Sequence, residues 1–120
     1  MKKILLVLLF GFSTLFAIEH LNDSNFEEKL KGKNVIVDFY ATWCPPCKIM
    51  TGILNEFEKE KPENVEVYKV DIDQYRDLAI KNGVKALPTL AYFQDGKLIT
   101  LEVGIKSVTD LKLSSYNYFK

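Results

Sequence analysis

The residues Asn34 to Tyr40, Asn-Val-Ile-Val-Asp-Phe-Tyr, are apolar at nearly every position. A half-exposed strand alternates polar and apolar side chains, so this run predicts a strand covered on both faces and central in its sheet. The chain supplies the cover. After Pro46, the residues Met50, Ile53, Leu54 and Phe57 fall at i, i+3, i+4 and i+7, while Lys48, Asn55, Glu58 and Lys59 fill the other face of the same helix. Val65 to Val70 predicts the next strand, and the crossover helix between the two is what parallel pairing requires.

The flanking segments complete the pattern. Ser24-Asn25-Phe26-Glu27 has the form of a capping box, with Phe26 and Leu30 giving a short helix one apolar face. Asp73 to Asn82 predicts a second helix closed by Gly83. Leu90 to Gln94 and Leu98 to Val103 flank Asp95-Gly96, a strong hairpin signal. Ser107-Val108-Thr109-Asp110 opens a last helix, with Val108, Leu111 and Tyr118 expected toward the sheet. The order is βαβ followed by αββα, which predicts an α/β fold with a central mixed sheet flanked by helices on both faces. With 120 residues and no repeat or linker within residues 18–120, one domain is expected there.

Residues 1–17 have a different character. Met1-Lys2-Lys3, then Ile4 to Phe10 without a polar residue, then Gly11, Ser13, Thr14 and Ala17, give the basic, apolar and small-residue regions of a signal peptide. Cleavage after Ala17 is expected, with an uncleaved anchor as the alternative. The apolar stretch falls short of the roughly 20 residues that span a hydrocarbon core. Export places the two cysteines where disulfides persist. The 16 basic and 16 acidic residues balance, so there is no electrostatic footprint for nucleic acid or an anionic membrane. Two cysteines and a single histidine cannot assemble a four-ligand zinc site, and neither a metal nor another cofactor is expected.

Trp43-Cys44-Pro45-Pro46-Cys47 lies between the central strand and the crossover helix. Proline fixes φ, pushes the preceding residue out of the helical region and is tolerated in the first helical turn. Cys44 is therefore expected at or just before the helix start, its sulfur facing free amides and the positive end of the helix dipole. Both favour the thiolate. Cys47 follows one turn later, close enough for a disulfide, and is expected to be less exposed and less ionised. A structural bridge gains stability by closing a long loop, and a gap of two residues closes almost none. An attacking and a resolving cysteine are the better reading.

Asp38 is a carboxylate inside the apolar run, on the same face as Ile36 and Tyr40. Burying it is costly unless it is paired or its pKa rises. Lys69, in the next strand, is its natural charge partner, and together they could accept the proton of Cys47. Leu87-Pro88-Thr89 places a proline immediately ahead of a strand, where it can simply mark the strand start. Trp43 is expected at a recognition surface, Tyr40 and Phe39 in the core, and His20 as an exposed polar residue.

The segments Val37 to Lys48, Lys69-Val70-Asp71-Ile72-Asp73, Val84 to Thr89, Asp95-Gly96 and Val103-Gly104 together resemble the thioredoxin family, over about residues 20–119. The resemblance implies the thioredoxin fold, Cys44 and Cys47 as a redox-active disulfide, and Asp38 with Lys69 as a buried proton-handling pair. It further implies Pro88 as a cis proline against that disulfide, with Leu87, Pro88 and Gly104 along the substrate groove. Two positions depart from the common pattern. Pro45-Pro46 replaces the usual Gly-Pro, which removes a backbone amide beside Cys44, weakens thiolate stabilisation and favours a reductase over a strong oxidase. Gly52 stands where a helix-bending proline is frequent.

The expected activity is thus a monomeric periplasmic thiol–disulfide oxidoreductase reducing disulfide-containing protein substrates, itself re-reduced by a membrane or soluble thiol electron donor. Three alternatives stay open: a disulfide oxidase or isomerase, a reductase for apocytochrome c cysteines, and a non-catalytic chaperone module binding through the groove.

Overall fold

The computed structural model describes residues 17–120, so the expected export segment lies outside the described residues apart from Ala17. The elements run β1 (Glu19–His20), α1 (Phe26–Leu30), β2 (Asn34–Tyr40), α2 (Pro45–Glu60), β3 (Val65–Asp71), α3 (Arg76–Lys81), β4 (Thr89–Gln94), β5 (Lys97–Val103) and α4 (Val108–Tyr118). They form a five-stranded sheet in the order β1-β3-β2-β4-β5. β2 is parallel to β3 and antiparallel to β4, which makes the sheet mixed and β2 its middle strand.

The unbroken apolar run of β2 is explained by two cores. On one face Val35, Val37 and Phe39 meet Phe26 and Leu30 of α1 and Leu78 and Ala79 of α3. On the other, Ile36 joins Leu90 and Tyr92 of β4 against Met50, Leu54 and Phe57 of α2 and Leu111 of α4. Because successive strand residues point to opposite faces, Asp38 shares the α2 face with Ile36. The α2 helix runs unbroken through Gly52. No helix among the described residues is long and apolar enough to cross a membrane.

Local signals held where the side chains had no competitor. Asp95 and Gly96 take φ values of 50° and 78°, the left-handed pair a two-residue hairpin between right-twisted strands requires. Ser107 caps α4 in a true capping box: its hydroxyl accepts from the Asp110 amide and the Asp110 carboxylate accepts from the Ser107 amide, both at 3.0 Å. Replacing Ser107 with Ala removes one half of this reciprocal pair and is expected to cost about 1 kcal/mol in a urea unfolding curve.

Two expectations are corrected, and one strand is added. Ser24 and Glu27 form no capping box; instead Asn22 Oδ1 accepts from the Ser24 and Asn25 amides and Asn25 Oδ1 from the Asn22 amide, so α1 starts at Phe26 with its turn already satisfied. Helix α3 starts at Arg76 and not at Asp73, because Asp71 Oδ1 holds the Asp73 amide in a turn. The two-residue edge strand β1, parallel to β3, is too short to carry a periodic signal.

Candidate active site

The α2 helix opens at the carboxyl end of β2, and its first turn carries the cysteines. Cys44 is the N-cap, in extended conformation, with Pro45 and Pro46 in the first two helical positions. Neither proline has an N–H, so the amide of Cys47 is the first in the helix able to donate, and it points at Cys44 Sγ at 3.3 Å. The two cysteines are joined as a disulfide with a Cα–Cα separation of 5.2 Å. A sulfur at this position receives both a hydrogen bond and the positive end of a 16-residue helix when the pair is reduced.

The two sulfurs face different surroundings. Cys44 lines a cleft of about 630 Å³, walled by Trp43, Pro45, Pro46, Ile72, Ile80 and Leu87. Arg76 and Lys85 add two cations to that wall and Asp73 one carboxylate. Asp73 is already engaged, because its Oδ2 accepts from Trp43 Nε1 at 2.8 Å. That bond fixes the exposed indole at the rim, where its face is free for recognition. Cys47 instead lines a smaller cavity of about 340 Å³ with Tyr40, Ala41, Thr42, Lys48, Thr51 and Lys69.

On β2, two residues before Tyr40 and on the face covered by α2, Asp38 is fully buried, and neither of its carboxylate oxygens has a hydrogen-bond partner among the described residues. Burial pushes its pKa from an ordinary 3.8 up to about 7, against the opposing pull of Lys69. Lys69 is its direct cross-strand neighbour, yet the two do not close an ion pair. The Lys69 ammonium donates to Thr51 Oγ1 at 2.7 Å and sits 4.3 Å from the centre of the Tyr40 ring. This corrects the expected direct pairing. Thr51, one turn after Cys47 on α2, competes for the ammonium, and Lys69 acts on Asp38 only through space. Desolvation also lowers the Lys69 pKa.

The Leu87–Pro88 bond is cis. Pro88 and Thr89 are buried, and the Gly104 amide donates to Pro88 O at 2.9 Å. Gly104 has φ +95°, which favours glycine at this position. Leu87 lines the cleft beside Cys44, whereas Pro88 and Gly104, joined by that backbone hydrogen bond, are not part of its wall.

The comparisons say which proteins this arrangement is similar to. Residues 17–114 match the family model for thioredoxin. The chain belongs to the thioredoxin family. It is 43% identical over 82 residues to thioredoxin-1 of Saccharomyces cerevisiae, an alignment that covers 68% of this chain and 79% of that protein. Thioredoxin of Bacillus subtilis is 34% identical over 90 residues, covering 75% of this chain and 86% of its own length. A chain solved in work on thiol resolution in yeast mitochondrial 1-Cys peroxiredoxin through the glutathione and thioredoxin systems superposes with a TM-score of 0.75. It is 33% identical, with 84% of this chain and 95% of that chain covered. The protein is a thioredoxin-type thiol–disulfide oxidoreductase, a disulfide reductase carrying a redox-active dithiol.

Two contributors to this thioredoxin site were not singled out from sequence. Thr51 was legible in principle, as the polar residue one helical turn beyond Cys47. Asp73 reads from sequence as a helix start and a motif residue, and nothing in the spacing links it to an indole 30 residues earlier.

Proposed function

We propose that this thioredoxin-family protein works outside the cytoplasm, reducing disulfides of exported proteins. The observation that carries the location is the run from Lys2 and Lys3 through Ile4 to Phe10 to the small residues ending at Ala17, ahead of residues that match the family. The direction is supported by Pro45, which leaves the Cys47 amide as the nearest helical donor to Cys44 Sγ and so limits stabilisation of the thiolate.

In the first half-reaction the Cys44 thiolate attacks one sulfur of a substrate disulfide. The substrate S–S bond breaks, a mixed disulfide to Cys44 forms, and the released substrate thiolate takes a proton from water. In the second, Asp38 accepts the proton of Cys47, directly or through one water, and the Cys47 sulfur attacks Cys44 Sγ. The mixed disulfide breaks, the Cys44–Cys47 bond forms, and the second substrate sulfur leaves as a thiolate that is protonated. Two electrons pass to the substrate. A membrane or soluble thiol donor must then return two electrons to the Cys44–Cys47 disulfide. Leu87 and the Trp43 rim would hold the substrate segment across the cleft. Apocytochrome c cysteines are one substrate class of this kind.

The test is to express the whole chain in a Gram-negative host and to measure both its location and its potential. The expected result is a periplasmic protein starting at Ile18, with a reduction potential at or below that of the thiol pool it meets, where about 30 mV shifts the equilibrium constant tenfold. A cytoplasmic protein retaining Met1 overturns the location. A potential well above that pool makes it an oxidant and overturns the direction.

A further inference from the structure

His20, the only histidine of the chain, stands at the edge of the sheet and close to the buried machinery. Strand register aligns His20 of β1 with Lys69 of β3, and Lys69 with Asp38 of β2. Register partners point to the same face of a sheet and neighbouring strands lie about 4.8 Å apart, so the three form one row on the α2 face. The row runs from solvent at His20 to the fully buried Asp38.

Tyr40 lies across this row. Its hydroxyl is hydrogen-bonded to His20 Nδ1 at 3.0 Å, and the imidazole meets its ring edge-on with centroids 5.6 Å apart. The ring face of Tyr40 carries the Lys69 ammonium at 4.3 Å. That ammonium donates to Thr51 Oγ1 at 2.7 Å, and the same hydroxyl donates to the Cys47 carbonyl at 3.1 Å. Tyr40, Lys69, Thr51 and Cys47 also wall one cavity.

We infer that His20 is a positioning residue for the second half-reaction, holding the Tyr40 ring so that the Lys69 ammonium stays beside Asp38 on the Cys47 side of the disulfide. This rests on the role of Asp38 as proton acceptor proposed above. A long, flexible lysine side chain has many rotamers, and the ammonium of this one is directed by the Thr51 hydroxyl and the Tyr40 ring face. A tyrosine half-open to solvent can swing unless its far end is tied, and His20 ties it from a different strand. The charge that opposes the burial of Asp38 is thus held in place from the sheet edge. The titratable groups around the row are His20 from β1, Asp38 and Tyr40 from β2, Lys69 and Asp71 from β3, and Lys48 and the Cys47 thiol from α2. Desolvation and the neighbouring Lys69 lower the His20 pKa against the opposing pull of Asp71, which favours the neutral imidazole beside the ammonium.

The experiment mixes the reduced full chain with an aromatic disulfide in a stopped flow. The first equivalent of aryl thiolate reports attack by Cys44 and the second reports resolution by Cys47, each followed from pH 5 to 9. His20→Ala is expected to move the midpoint of the second phase upward by about half a pH unit, the order of a weakened cation–π contact, without moving the first phase. Tyr40→Phe, which keeps the ring and loses the hydroxyl, should give the same direction, and H20A/Y40F should add nothing further. His20→Asn, whose amide reaches the Nδ1 position, should restore the midpoint. A purely structural role would lower the thermal midpoint and leave the pH midpoint unmoved. If the His20→Ala midpoint is unchanged while Asp38→Ala abolishes the titration, the positioning role is overturned and the Asp38 role stands. If no phase depends on Asp38, both are overturned.

Discussion

Cys44→Ser is expected to reduce insulin disulfide reduction by on the order of a thousandfold or more, while Cys47→Ser is expected to trap a covalent protein–substrate adduct. The two losses differ because the two sulfurs occupy different places. Cys44 borders the cleft beside Trp43 and Leu87, where a substrate disulfide can approach in line, and it holds the N-cap position that favours a thiolate. Cys47 is more deeply buried, at 1% exposure, and faces the opposite cavity. Without Cys44, no nucleophile remains on the cleft side. Without Cys47, the first bond still forms and nothing breaks it, so one equivalent of substrate should migrate with the protein on a non-reducing gel and be released by added dithiol. Equal and full activity in the two variants would refute both assignments.

How much of this was legible in the chain depended on whether the signal was local. The apolar run Asn34–Tyr40 carried the central strand because burial on two faces leaves a one-dimensional mark. The Asp95-Gly96 turn and the Ser107 cap were legible because their partners lie within three residues. The Pro45-Pro46 dipeptide placed Cys44 at the helix start for the same reason. Long-range partnerships were not legible in this way. The Ser24 box failed because Asn22, outside the four-residue pattern, captured the amides first.

Lys69 shows the limit most clearly. Its place opposite Asp38 followed from two parallel strands in register, but which oxygen its ammonium would reach depended on Thr51, brought in by a third element. His20 reads from sequence as an exposed polar residue, and it is exposed. Its bond to Tyr40 requires β1, a strand of two residues with no periodicity to announce it. The place of the cysteine pair at the helix start and of Asp38 inside β2 was thus readable from sequence, while the connections among these residues arose only when five strands fixed their neighbours.

Asp38→Asn is expected to stabilise the protein by about 4 kcal/mol at pH 9 and by little at pH 4. The carboxyl of Asp38 has its folded pKa raised to about 7 from an ordinary 3.8, with burial the dominant cause. Below pH 4 both the folded and the unfolded chain hold the proton, and the group costs nothing by ionising. Between about pH 4 and 7 the unfolded chain releases the proton while the folded chain keeps it, so stability falls as pH rises, by about 1.4 kcal/mol per unit. Above pH 7 the folded chain carries a buried carboxylate without hydrogen-bond partners, and the whole cost is present. Asparagine keeps the shape and much of the polarity and removes the ionisation, so the variant's urea midpoint should vary less with pH and exceed that of the parent in alkaline buffer. If Asp38 accepts the Cys47 proton as proposed, the same substitution should also slow the resolving phase near neutral pH. Matching pH profiles of stability in the two proteins would show that Asp38 titrates as an ordinary carboxylate. Greater alkaline stability joined to slower resolution would instead mean that the fold tolerates a destabilising charge under α2 because the second half-reaction uses it.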